Sequence, residues 1–154
     1  MMNSTYPAQA PLRGLGACCA VGNTVLHGLL VADHLEEKFY IGVLFAVGSA
    51  VMLVVAAALL ISKRPHLAWL TGAAVSLGMI VGFLLSRTVG LPDGYHEAGW
   101  EPPYGALSLF VEGLFVVAFL AWLSGSARST DAVLQSPYRS GRERIASGRG
   151  ARER

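Results

Sequence analysis

The sequence predicts an all-α integral membrane protein, a bundle of four transmembrane helices. Three observations carry that reading. Charged residues make up only 14% of the 154 positions while 53% are hydrophobic, where soluble domains carry about 25% charge. The charges are also distributed so that residues 14–32, 39–62 and 65–86 contain none. A fourth apolar stretch, from Gly105 to Ser124, holds a single charge, Glu112. A hydrocarbon layer of about 30 Å is crossed by about 20 apolar helical residues, the length of each stretch. The same pattern excludes disorder, a disulfide scaffold and a nucleic-acid-binding domain for this part of the chain. Runs such as VMLVVAAALLI lack the alternation of a β-barrel strand.

The first predicted helix, about 14–34, is the least hydrophobic and resembles a secretory signal. Its apolar stretch outruns a signal core, however, and cleavage after Ala32 would put Leu30 where a small residue is needed, so it is read as retained. The second and third helices are expected at about 39–61 and 67–86. The fourth, about 105–124, tolerates Glu112 because the rest of it (ALSLFV, GLFVVAFLAWL) is strongly apolar. Residues 1–13 form an N-terminal segment. The tail, 125–154, is rich in Ser, Gly and Arg and is expected to be disordered.

Orientation follows from Lys and Arg near the span ends. Arg13 precedes the first span, Lys63 and Arg64 lie between the second and third, and seven Arg follow the fourth, against Lys38 and Arg87 in the other two connections. Both termini and the SKRPH turn are therefore expected in the cytoplasm, with Asp33, Glu36, Glu37, Asp93, Glu97 and Glu101 outside. Phe39, Tyr40, Tyr95, Trp100 and Tyr104 read as aromatic anchors at the outer interface, Trp69 and Trp122 at the inner one. The basic tail serves topology or touches anionic lipid; without a folded module around its Arg residues, no nucleic acid partner is expected.

Small residues at four-residue spacing mark faces where helices approach closely in lipid. Gly42, Ala46 and Ala50 form one such seam and Gly78 with Gly82 another, serving the bundle itself, a second copy or another membrane protein. Cys18 and Cys19 are adjacent on a helix and point about 100° apart, so they read as packing residues or a lipidation site rather than a disulfide. No CxxC pair, Gly-rich phosphate loop or GxSxG elbow occurs.

Ionisable residues inside a span are costly and face the bundle interior. His27 and Glu112 each lie seven residues from the outer end of their helix, about 10 Å at 1.5 Å per residue, so they are expected at one level as a pair. Asn23, His27 and His34 give the first helix one polar stripe, and Arg87 is placed to cap the same region. His34, Glu36, Glu37, His96 and Glu97 on the two outer connections supply the ligand types of a divalent metal, and histidine also ligates haem. Three readings stay open: a satisfied His27–Glu112 pair fixing helix register, an outer metal or haem site, and a proton or ion path through the pair.

The segments HGLLVADHLEEKFYIGVLF and LSRTVGLPDGYHEAGWEPPYGALSLFVE resemble a group of small four-helix membrane proteins of high-GC Gram-positive bacteria, over residues 22–124. The resemblance implies a bacterial plasma membrane and makes His27, Glu36 or Glu37, Ser86 to Pro92, and Glu112 recurrent positions; it implies no reaction. Gly90 and Pro92 suit a tight turn holding Arg87 near the outer mouth. The function expected is a non-catalytic accessory, scaffold or interaction protein with no cofactor. The rival is an outward-facing metal or haem binder, and the third is ion conduction.

Overall fold

The computed structural model describes residues 9–100 and 103–126. Residues 1–8, most of the tail, and Glu101 lie outside the described residues. Among the described residues the structure is all-α, with four helices long and apolar enough to cross a membrane: α1 (Gln9–Glu37), α2 (Phe39–Ile61), α3 (His66–Arg87) and α4 (Tyr104–Ser126). A 3₁₀ turn, Pro92–Gly94, interrupts the α3–α4 connection.

α1 runs past 14–34 at both ends and reaches 29 residues, about 43 Å at 1.5 Å per residue. Its first turns are anchored by Arg13, whose Nε donates to Leu59 O at 2.7 Å and whose Nη2 donates to Ser62 O at 2.7 Å. A guanidinium there satisfies carbonyls that the end of α2 leaves without helical partners and complements its dipole. At the other end α1 passes into α2 through Lys38 alone, which is extended (φ −147°, ψ 105°). So sharp a reversal forces the two backbones together. Gly42 allows it, because a Cβ there would sit 2.6 Å from Leu35 N.

The helices alternate in direction. α3 starts beside the end of α4, with the rings of His66 and Trp122 5.1 Å apart. All four helices feed one apolar core: Ala17 and Ala20 from α1, Met52, Val55 and Leu59 from α2, Trp69 and Ala73 from α3, Phe115 and Trp122 from α4. Trp69 is its centre, fully buried, 5.4 Å from Phe115 and stacked at 5.7 Å on Trp122. Gly16 and Gly72 make room for these rings: a Cβ at Gly16 would lie 2.6 Å from Trp69, and one at Gly72 would overlap Phe115.

Trp69 and Trp122 are therefore core residues rather than surface anchors: Gly16 leaves space for the Trp69 indole, and Trp122 stacks on it. Tyr95 is likewise buried, whereas Phe39, Trp100 and Tyr104 are exposed. Among the expected seams, Gly42 packs within the chain. Ala46 and Ala50 are exposed, and Gly78 and Gly82 face open space. Cys19 is buried, Cys18 exposed, and both are free.

Candidate functional site

Polar side chains are collected at the end of the helices where α1 meets α2 and α3 meets the 88–103 connection. The register of α1 starts this arrangement. Asn23 and His27 are one turn apart on a shared face, and His34 follows two turns on; all three are buried. His27 Nδ1 lies 3.2 Å from Asn23 O, the usual acceptor for a polar group one turn along a helix. Across the interior, Asn23 Nδ2 donates to Glu112 Oε1 at 3.3 Å, and His27 Nε2 stands 3.4 Å from the same oxygen. With a proton on Nδ1 for the Asn23 carbonyl, Nε2 and Oε1 can share one further proton, either as imidazolium facing carboxylate or as carboxyl facing imidazole. Glu112 Oε2 and Asn23 Oδ1 have no hydrogen-bond partner among the described residues. An unpartnered buried polar atom costs about 1–3 kcal/mol.

Phe45 of α2 links this group to the next. Its ring lies between those of His27, at 4.8 Å, and His34, at 4.5 Å. His34 Nδ1 is 2.8 Å from Leu30 O and its Nε2 is 3.1 Å from Glu97 Oε1. Glu97 also accepts from the Tyr95 hydroxyl and pairs through Oε2 with Arg87 Nη1 at 2.5 Å. Burial pushes the Glu97 carboxyl up, but the hydrogen bonds from His34 and Tyr95 and the Arg87 charge outweigh it and hold the group below the ordinary value of 4.5. Arg87 is held in turn by Gly99 O at 2.7 Å, Ser86 Oγ at 2.8 Å and the face of Phe83 at 3.6 Å.

The backbone of the connection makes this clasp possible. Gly90 at φ 83° and Asp93 at φ 64° occupy the left-handed region, which glycine and aspartate tolerate best. Leu91 N then donates to Tyr95 O at 2.7 Å, and Glu97 N to Ser86 O at 3.0 Å. Lys38 and Tyr40 pin the turn from the α1–α2 side: Lys38 Nζ lies 2.7 Å from Asp93 Oδ2, and the Tyr40 hydroxyl donates to Pro92 O at 2.6 Å. That contact raises the Lys38 pKa and lowers that of Asp93.

The expected polar residues thus fall into two linked groups, Asn23–His27–Glu112 and His34–Glu97–Arg87. Of the metal-ligand candidates only His34 and Glu97 come together; Glu36, Glu37 and His96 are exposed. Among the described residues no three His, Cys, Asp or Glu side chains gather as a metal-binding group. Tyr95 and the Phe45 ring were not legible as members of the site. Their contacts cross between elements, and aromatic residues near an apolar boundary carry no mark separating the two roles.

A cavity of about 420 Å³ lies against both groups. Glu112, His27 and Ser108 contribute to its floor, Leu91, Tyr95 and Glu97 to the end under the connection, and α2 and α3 to its walls. Gly78, Gly82 and the exposed Leu44 and Val47 line it too, so it opens between α2 and α3 on the apolar flank.

The class defined by fold and site is an all-α protein of four helices able to cross a membrane, enclosing buried polar side chains. No protein-family model, curated protein or solved structure matches the chain.

Proposed function

We propose that the chain is a multi-pass plasma-membrane protein of bacterial type, a four-helix bundle with both termini in the cytoplasm, acting as a non-catalytic accessory protein that binds rather than transforms. The observation that carries this is the reversal of the usual surface pattern. Large apolar side chains face outward along every helix, among them Leu44, Val54, Leu67, Phe110 and Val117, while Asn23, His27 and Glu112 are turned inward. In water such a surface would aggregate. In hydrocarbon it is the stable arrangement, since polar side chains there pair inside the bundle.

A binding role is favoured over conduction by the layer beneath Glu112. Met52, Leu59, Trp69 and Phe115 are fully buried and apolar, and they close the interior between the polar groups and the Arg13 end. A reporter fused after Arg154 and a second one inserted after Asp93 test the placement. Cytoplasmic signal from the first and external signal from the second are expected; an external signal after Arg154 would overturn the orientation and both outer-face assignments. Visible spectra and metal analysis of the purified protein separate the accessory reading from a haem or metal binder.

A further inference from the structure

We propose that the cavity between α2 and α3 is a binding site for a lipid-soluble quinone or quinol, its ring oxygen meeting Glu112 and its prenyl tail leaving through the gap beside Gly78 and Gly82. The inference rests on the membrane reading above and names the ligand class of that site. Three features select this occupant. The outer end is covered by Leu91, Tyr95 and Glu97, whereas the flank between the helices is open, so entry is from the apolar side and the ligand must be soluble there. The volume, about 420 Å³, is that of a small-molecule site. It accommodates a ring with a short length of chain. The aromatic side chains lining it, Phe45, Phe83 and Tyr95, suit a flat ring.

The floor sets the head group. Glu112 is 1% exposed and its Oε2 lacks a partner among the described residues, while the hydroxyls of Ser86 and Ser108 already donate to Phe83 O and Gly105 O. The carboxyl donates to a quinone carbonyl when its proton sits on Oε2, and Oε2 accepts from a quinol hydroxyl when that proton lies on the Oε1 side toward His27 Nε2. The charged groups lining the cavity already face one another, Glu112 against His27 and Arg87 against Glu97, so a neutral head group fits without displacing a pair. A second helix docked over the glycines fits less well, because the void is lined also by His27 of α1 and by Ser108 and Glu112 of α4, polar groups that an apolar helix face would leave unmet.

The test uses the full chain purified in detergent and a naphthoquinone carrying one prenyl unit, followed by equilibrium dialysis. Saturable binding at one quinone per chain is expected. A Cβ at Gly82 meets nothing within 4 Å, so Gly82→Leu should retain its helicity and lose binding at least about tenfold, the effect of some 1.4 kcal/mol; Gly78→Leu repeats the test independently. Glu112→Leu, which can neither donate nor accept, should weaken binding by a similar factor. No saturable binding, unchanged affinity in both glycine variants, or equal binding of a prenyl alcohol lacking the ring overturns the proposal. So does a wild-type dimer, seen by light scattering, that Gly82→Leu dissociates, which would assign the gap to a second copy. If binding fails while the reporters give the expected topology, only the ligand assignment falls; if the topology fails, the reading beneath it falls as well.

Discussion

Replacing Glu97 with Gln removes one charge from a position where three elements meet while keeping the length of the side chain. In the native protein the carboxylate accepts from Tyr95, contacts His34 at 3.1 Å and pairs with Arg87 at 2.5 Å. Hydrogen bonds to a charged group are worth about 1.5–3 kcal/mol each, and breaking a buried ion pair outright costs about 3–5 kcal/mol. Arg87 would not be stranded, since Gly99 O, Ser86 Oγ and the Phe83 ring remain. The glutamine carbonyl can also still accept one bond. The net loss should therefore be about 2 kcal/mol, or roughly 30-fold in the folding constant. Unfolding by sodium dodecyl sulfate in mixed micelles, followed by far-UV circular dichroism, measures it. Hydrogen exchange across residues 88–100 should show faster opening there than in the Trp69 core. A loss under 0.5 kcal/mol with unchanged exchange would mean that Glu97 does not join α1 to the connection, and the clasp would have to be abandoned.

The remaining predictions follow from neighbouring contacts. Because the folded pKa of Glu97 lies below its ordinary 4.5, its contribution is present above that pH and is lost as the pH falls through the folded value. The stability gap between wild type and Glu97→Gln should then close on acidification, and a gap that widens in acid would contradict the assignment. Gly72→Leu drives a side chain into Phe115 and Val55 and should cost at least about 1–3 kcal/mol. By contrast, Gly78→Leu should cost little in the same unfolding assay. A double-mutant cycle of His27→Ala with Glu112→Gln should give a coupling of about 0.5–2 kcal/mol, in the range of polar pairs between membrane helices; additive effects would mean the 3.4 Å contact has no energetic content. Arg13→Ala should destabilise by about 1–2 kcal/mol through the freed carbonyls of Leu59 and Ser62, with lysine restoring only part, since one ammonium does not reproduce the fork.

Much of the site could be read from spacing, and the reason is geometrical. A helix repeats every 3.6 residues, so Asn23, His27 and His34 share a face whatever they pack against. Depth follows from counting residues, which is why His27 and Glu112 could be set at one level before any fold was known. Partners contributed by irregular backbone could not be read in this way. Glu97 was legible as one of several acids on an outer connection, but its selection over Glu36 and Glu37 depends on the turn at Gly90 and Asp93. That turn brings residue 97 back to Ser86 and beneath Arg87.

The glycines show the same division. Their four-residue spacing identified Gly42 and the Gly78–Gly82 pair equally, yet the first is pressed against Leu35 while the other two border empty space. The glycines that accommodate the largest rings, Gly16 and Gly72, stood out by no spacing at all, because what matters there is a residue on another helix. The sequence alone therefore determined the four apolar spans and the faces that carry polar atoms, properties of a single helix and of where charge is tolerated, while α1 outran its apolar stretch at both ends. Only the tertiary structure decided which small residues are filled against and which are left open, and that an acidic loop closes over a cavity with Glu112 in its floor. Those outcomes depend on distances between elements, which hydropathy and periodicity do not encode.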